Sequence, residues 1–202
     1  MVEVAVAISI ASVFVATIGG GVSLYNARKA VQWKQAEFAN AQLKELFSND
    51  ELSFACRCLD WYGGMLVVPE KLQPLLGTER KIIDHDPEVF ATAVDAEVWL
   101  DEMAQDPRLQ IYRTAADTLL TWFSTIENGL DRGLFVAADI REAMYWLDKV
   151  LAAPRMINFI ETYGYRDMID RLTGHFDGVQ ALSIARRRGG FGATAGGRSV
   201  GS

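Results

Sequence analysis

Few side chains in this chain could do chemistry, and they are thinly spread. There are two histidines, His85 and His175, and each stands beside carboxylates, in Asp84-His85-Asp86 and in His175-Phe176-Asp177. Brought together by a fold, these clusters would offer imidazole and carboxylate ligands to a transition-metal ion. Nothing in their spacing brings them together, and His85-Asp86-Pro87 also reads as the start of a helix. The two cysteines, Cys56 and Cys58, flank a single arginine. On a helix their thiols point to different sides, so the pair suits burial better than metal or redox work. There is no phosphate loop, no G-x-G-x-x-G after a strand, no G-x-S-x-G and no H-E-x-x-H. No serine has a matching His and Asp set. The sequence assigns no catalytic, cofactor-binding or metal-ligating residue. It points away from an enzyme, with a metal-dependent one through His85 and His175 as the alternative.

The elements that would position these residues are helical. Ser48 and Glu51 stand at capping-box spacing and start a helix. Its apolar residues fall on two faces, Leu52, Ala55, Cys56 and Leu59 on one and Phe54, Cys58 and Trp61 on the other, the mark of a central helix. Gly63-Gly64 ends it. Pro87 starts a helix carrying Val89, Ala93, Ala96, Leu100 and Met103. Pro107 starts another, with Leu109, Tyr112, Ala116, Leu119, Leu120, Phe123, Ile126 and Leu130 in the strongest helical period of the chain. Val136 to Leu151 follows, with Ile140, Ala143, Met144, Leu147 and Leu151 inward. Pro154 to Tyr163 and Tyr165 to Leu172 are shorter helices split at Gly164, and Phe176 to Arg188 fits one more. Residues 65–86 are the least regular. Met65 to Val68 suits a short strand or a buried extended run, and Pro69, Pro74 and Gly77 punctuate the rest. Long irregular connections are often functional, but a packed surface loop is the plainer reading. The predicted fold class is all-α, an irregular helical bundle over 48–188.

The chain has 202 residues, 50% hydrophobic and 23% charged, with a net charge of −6. That excludes a disordered chain and leaves room for a core. The mean hydropathy, +0.08, is high for a soluble protein. One segment raises it. Val4 to Tyr25 holds no charged residue, and as a helix it is about 33 Å long, matching a bilayer core of about 30 Å. Without it the mean falls to roughly −0.15, ordinary for a soluble domain. A secretory signal needs a basic start and a small-x-small cleavage site, and a core helix is rarely uncharged for so long. Residues 1–25 are therefore read as a transmembrane anchor. Arg28, Lys29 and Lys34 follow the span and no basic residue precedes it. The positive-inside rule then places the C-terminal side in the cytoplasm and the N-terminus outside, across an inner membrane. Tyr25 and Trp33 suit the interface. Ser12, Ala16 and Gly20 share one helix face and form a candidate association face, although such residues are common in any span.

Residues 26–47 contain neither Pro nor Gly and read as a juxtamembrane helix continuing the span. Ala36, Ala39, Leu43 and Leu46 recur at heptad-like spacing, a stripe too short and alanine-rich for a coiled coil and better suited to packing on its own domain. Residues 189–202 read as a disordered tail. Arg186, Arg187, Arg188 and Arg198 lie beyond Ser183 without any acid, which leaves the rest of the chain at −10. This basic stretch suits contact with anionic lipid, or simply a favourable helix C-terminus. The acidic body and the helical placement of its aromatics argue against nucleic acid as a partner.

The order of features resembles a family of uncharacterised bacterial proteins with one N-terminal span and a cytoplasmic helical domain. The residues carrying the resemblance are Gln35-Ala36-Glu37-Phe38, Leu43-x-x-Leu46-Phe47-Ser48-x-x-Glu51-Leu52, Leu119-Leu120-x-Trp122-Phe123-x-x-Ile126-Glu127, Gly133-Leu134 and Tyr145-Trp146-Leu147, within residues 4–175. The resemblance implies the architecture and supplies no catalytic residue or cofactor. The functional expectation is a non-catalytic, membrane-anchored interaction module or accessory subunit of a bacterial inner-membrane complex. Its partners would be the lipid bilayer and another membrane protein or further copies of itself. The alternative is a membrane-acting effector or sensor, in stress or phage defence, that works by oligomerising.

Overall fold

The computed structural model describes residues 2–77, 81–95 and 105–189, with side chains over 20–77, 81–95 and 105–177. The first helix, α1 (Val2–Ser48), is continuous. From Gly20 to Lys34 every residue is exposed, whereas Ala39 and Leu46 are buried and Leu43 partly so. Of the stripe Ala36, Ala39, Leu43 and Leu46 expected to pack on its own domain, the last three do so and Ala36 is exposed. The last part of α1, from Gln35 onward, belongs to the packed body, and Gly20 to Lys34 stands clear of it.

Helix α2 (Asp50–Asp60) begins one residue later than the capping-box reading places it. Asn49 is the N-cap, its side-chain oxygen accepting from the amides of Glu51 (2.9 Å) and Leu52 (3.3 Å). Ser48 instead completes α1, so one asparagine serves as both the break and the cap between two helices. Leu52, Phe54, Ala55, Cys56 and Cys58 of the two predicted apolar faces are buried and Leu59 partly so, whereas Trp61 falls past the helix end as its C-cap and is 44% exposed.

The irregular segment contains a small antiparallel hairpin, β1 (Gly64–Val67) paired with β2 (Ile82–His85), in the register Met65 to Asp84 and Leu66 to Ile83. Its period-two pattern turns Leu66, Ile83 and His85 inward and Met65, Val67 and Ile82 outward. A 3-10 turn, Gln73–Leu76, lies within the hairpin connection. The all-α reading therefore holds for a mostly helical chain, with one short hairpin added.

Helix α3 (Pro87–Ala93) is capped by Asp86, and α4 (Pro107–Asp131) by Asp106. Ala96, Leu100 and Met103 of the predicted continuation of α3 lie outside the described residues. Helix α4 is the axis of the body and packs against α2, α3 and the 3-10 turn. Every apolar position named for it from the period is buried. Beyond it, Val136 to Leu151 divides into a 3-10 turn, Ala137–Ile140, and α5 (Glu142–Leu151). Helix α6 (Pro154–Thr162) ends before Gly164, as expected. Helix α7 (Arg166–Gly189) runs unbroken through Gly174 and merges two predicted helices. Arg186, Arg187 and Arg188 thus fall on helical backbone; their side chains, and residues 190–202, lie outside the described parts.

Candidate interaction surface

His85 and His175 are not brought together. His85 is 3% exposed at the end of β2. Its Nε2 lies 3.1 Å from the Trp61 carbonyl and its Nδ1 2.9 Å from the Tyr112 hydroxyl. A carbonyl only accepts, so Nε2 carries the proton and Nδ1 accepts from Tyr112. Burial pulls this imidazole below its ordinary value, against the opposing influence of the Trp61 carbonyl and of Asp86 and Asp84. Phe90 and Tyr112 both meet the ring edge-on. This is a core histidine with both nitrogens occupied.

His175, on α7, instead bonds Asp131 at the far end of α4, 2.8 Å away. The two partners, Tyr112 and Asp131, are about 28 Å apart along α4 at 1.5 Å per residue. A single metal ion cannot be shared across that distance, so the two-histidine metal site loses its geometry. Among the described residues no group of three or more His, Cys, Asp or Glu is placed to hold a metal ion. Cys56 and Cys58 are buried free thiols. Burial, with Asp60 nearby, pushes Cys56 up to about 12, and burial raises Cys58 as well. Neither is a ready thiolate nucleophile.

The sequence reading missed a charged clasp between α4 and α7. Glu127 is 3% exposed yet bonds Arg171 at 2.5 Å, one turn before the Asp131–His175 pair. The His175 bond holds the Asp131 carboxyl below its usual range. Glu127 and Asp131 are four apart, as are Arg171 and His175, which was the available signal for two facing pairs. The clasp ties the two helices together.

One exposed apolar surface lies on α1. Leu24 is 65% exposed, Val31 55%, Trp33 70% and Phe38 49%. The stalk is aimed by its base. The Gln35 side-chain amide donates to the Gly133 carbonyl at 3.0 Å, in the turn after α4. Gly133 holds φ +65°, a left-handed value that favours glycine. Beside this clip, Phe38, Gln42, Gly129, Leu134 and Phe135 border an open groove of about 400 Å³. Of the predicted association face, Gly20 is exposed with nothing within 4 Å of where a Cβ would stand. The Ser12 and Ala16 side chains lie outside the described residues. Arg28, Lys29 and Lys34 are all exposed on the stalk. A second apolar patch, Tyr62, Met65, Val67 and Ile82, covers the outer face of the hairpin.

Among the described residues no helix is long and apolar enough to cross a membrane. Most of the predicted span, residues 4–19, has side chains outside those described. Compared with models of known protein families, with curated proteins and with solved structures, the chain matches none.

Proposed function

We propose that this chain is a membrane-anchored, non-catalytic interaction module, its helical body held by α1 at the cytoplasmic face of a bacterial inner membrane. One observation carries the reading. Helix α1 is locked into the core at one end and is exposed from Gly20 to Lys34, a stretch that overlaps the end of the uncharged run Val4 to Tyr25. A soluble protein gains nothing by extending such a helix into water, whereas a bilayer would cover its apolar first half. Arg28, Lys29 and Lys34 then suit the cytoplasmic headgroups, and Tyr25 and Trp33 the interfacial belt. From Tyr25 to the first docking residue, Gln35, the stalk rises about 15 Å, so the body sits close above the headgroups.

The test is flotation of the full chain with membrane vesicles after alkaline carbonate extraction. The chain should float, and Val13→Arg should release it, because a mid-span arginine costs about 2.5–3.5 kcal/mol on the insertion scale. A chain that stays at the bottom of the gradient would refute the anchor. The uncovered apolar face of the stalk also favours a second reading, a membrane-acting effector that works by oligomerising. Dye uptake on overexpression separates the two, since an accessory subunit leaves the bilayer sealed.

A further inference from the structure

Two stripes run along α1 at the same three-and-four spacing, and they face different directions. Gln35, Ala39, Leu43 and Leu46 turn onto the body. About a quarter turn away, at 100° per residue, stand Gly20, Leu24, Ala27, Val31 and Phe38. All five are exposed. Their spacing alternates four and three, and Leu24, Val31 and Phe38 follow at intervals of seven, with Lys34 in the one polar position of the series. A seven-residue repeat is the period at which one helix winds along another. Contact with lipid alone requires no period. Contact with this chain's own body is already made by the other stripe.

We propose that this seam pairs in parallel with the same seam of a second copy of the chain, a reading that rests on the membrane anchor proposed above. The occupant is a second copy because a parallel pair sets each position against itself. Apolar then meets apolar at Leu24, Ala27, Val31 and Phe38, and bare Gly20 lets the backbones approach. A common anchor also fixes the parallel direction, since both helices leave the bilayer from the same face. The seam is weak alone. From Gly20 to Phe38 it is about 27 Å long, little more than the length at which isolated helices are marginal in water. Lys34 weakens it further. Tethering two copies in one bilayer offsets this by raising their effective concentration, on the order of mM for short connections. Pairing is thus expected in the membrane and not in detergent at high dilution. Phe38 borders the open groove beside Leu134 and Phe135, so pairing would also bring this face of each body to its neighbour.

The experiment is disulfide scanning of the full chain in native membrane vesicles, with single cysteines placed in turn from Val22 to Phe38. The native Cys56 and Cys58 are buried and stay in place. The expected profile has cross-linked dimer maxima at Leu24, Ala27, Val31 and Phe38 and minima at Val22, Lys29 and Trp33. Lys34→Leu should raise the dimer yield at Leu24→Cys several-fold, and Val31→Asp should lower it about tenfold. Val31 is exposed and touches no core residue, so an unchanged thermal midpoint for Val31→Asp shows that folding is not the cause. A flat profile, maxima on the Val22–Trp33 face, or cross-links only to a protein of another size would each overturn the pairing. Flotation of the same vesicles separates the two failures. A chain that floats with a flat profile refutes the pairing alone, and one that does not float refutes the anchor and the pairing with it.

Discussion

His85 shows how a residue suited to chemistry becomes structural. Its Nε2 proton goes to the Trp61 carbonyl, and its Nδ1 takes the Tyr112 hydroxyl at 2.9 Å. Tyr112→Phe would leave Nδ1 without a donor in a buried site, a loss of about 1–3 kcal/mol. Equilibrium urea unfolding measures it, and a loss near zero would mean that water replaces the hydroxyl. The same burial makes stability depend on pH. The folded imidazole titrates below its ordinary value, so unfolding takes up a proton in the window between the folded value and the unfolded one near 6.5. Stability is full above that unfolded value and declines as pH falls toward the folded one. The urea midpoint should therefore drop between about pH 7.5 and about pH 5.5, and His85→Gln should remove that part of the slope. An identical slope in the variant would show that other groups carry the dependence.

At the scale of the element, the turn from α4 to the 3-10 segment Ala137–Ile140 controls where α1 points. A Cβ at Gly129 would stand 2.5 Å from the Phe135 ring, a contact that must be relieved by movement. Phe135 is buried and begins two residues after Gly133, whose carbonyl holds Gln35. Gly129→Ala should cost about 1–3 kcal/mol through overpacking. It should also raise amide hydrogen exchange near Gln35, which a purely local cost would leave unchanged. This coupling was not legible in the sequence. The period of α4 was, because burial on one face writes itself into residues three and four apart. So was the burial of Cys56 and Cys58, since two apolar faces on one short helix leave them no outlet. The hairpin was half legible: Met65 to Val68 suited a strand, but nothing local identified Ile82 to His85 as its partner. The Glu127–Arg171 pair lies 44 residues apart in sequence, and only the packing of α7 on α4 brings it together. The seam at Leu24, Val31 and Phe38 was present in the sequence as a repeat of seven, yet the stronger stripe at Ala39, Leu43 and Leu46 lay beside it and accounted for the same helix.

For the molecule as a whole, α1 is both stalk and core, and the boundary between these roles falls at Gln35. Removing residues 1–33 takes away none of the buried residues described, since Gly20 to Trp33 are all exposed. The remaining body keeps Gln35 on Gly133, Ala39 and Leu46 buried, and α2 covered on its α1 side. Such a chain should fold with a thermal midpoint within a few degrees of the full chain, and it should be monomeric, because the seam retains only Phe38. Removing residues 1–47 is a different operation. It strips the burial of Ala39, Leu43 and Leu46, at about 1.5–3 kcal/mol for the fully buried Leu46 and less for the half-buried Leu43, and uncovers apolar surface on α2 and on the 3-10 turn Ala137–Ile140. A loss of a few kcal/mol from these side chains is a large share of the roughly 5–15 kcal/mol stability of a domain. The shorter chain should therefore aggregate or show non-cooperative melting. Calorimetry of the two truncations measures the boundary directly. If the chain beginning at residue 48 melts cooperatively near the midpoint of the one beginning at residue 34, then α1 is a separable tether, and the body does not set the direction in which the stalk presents its seam.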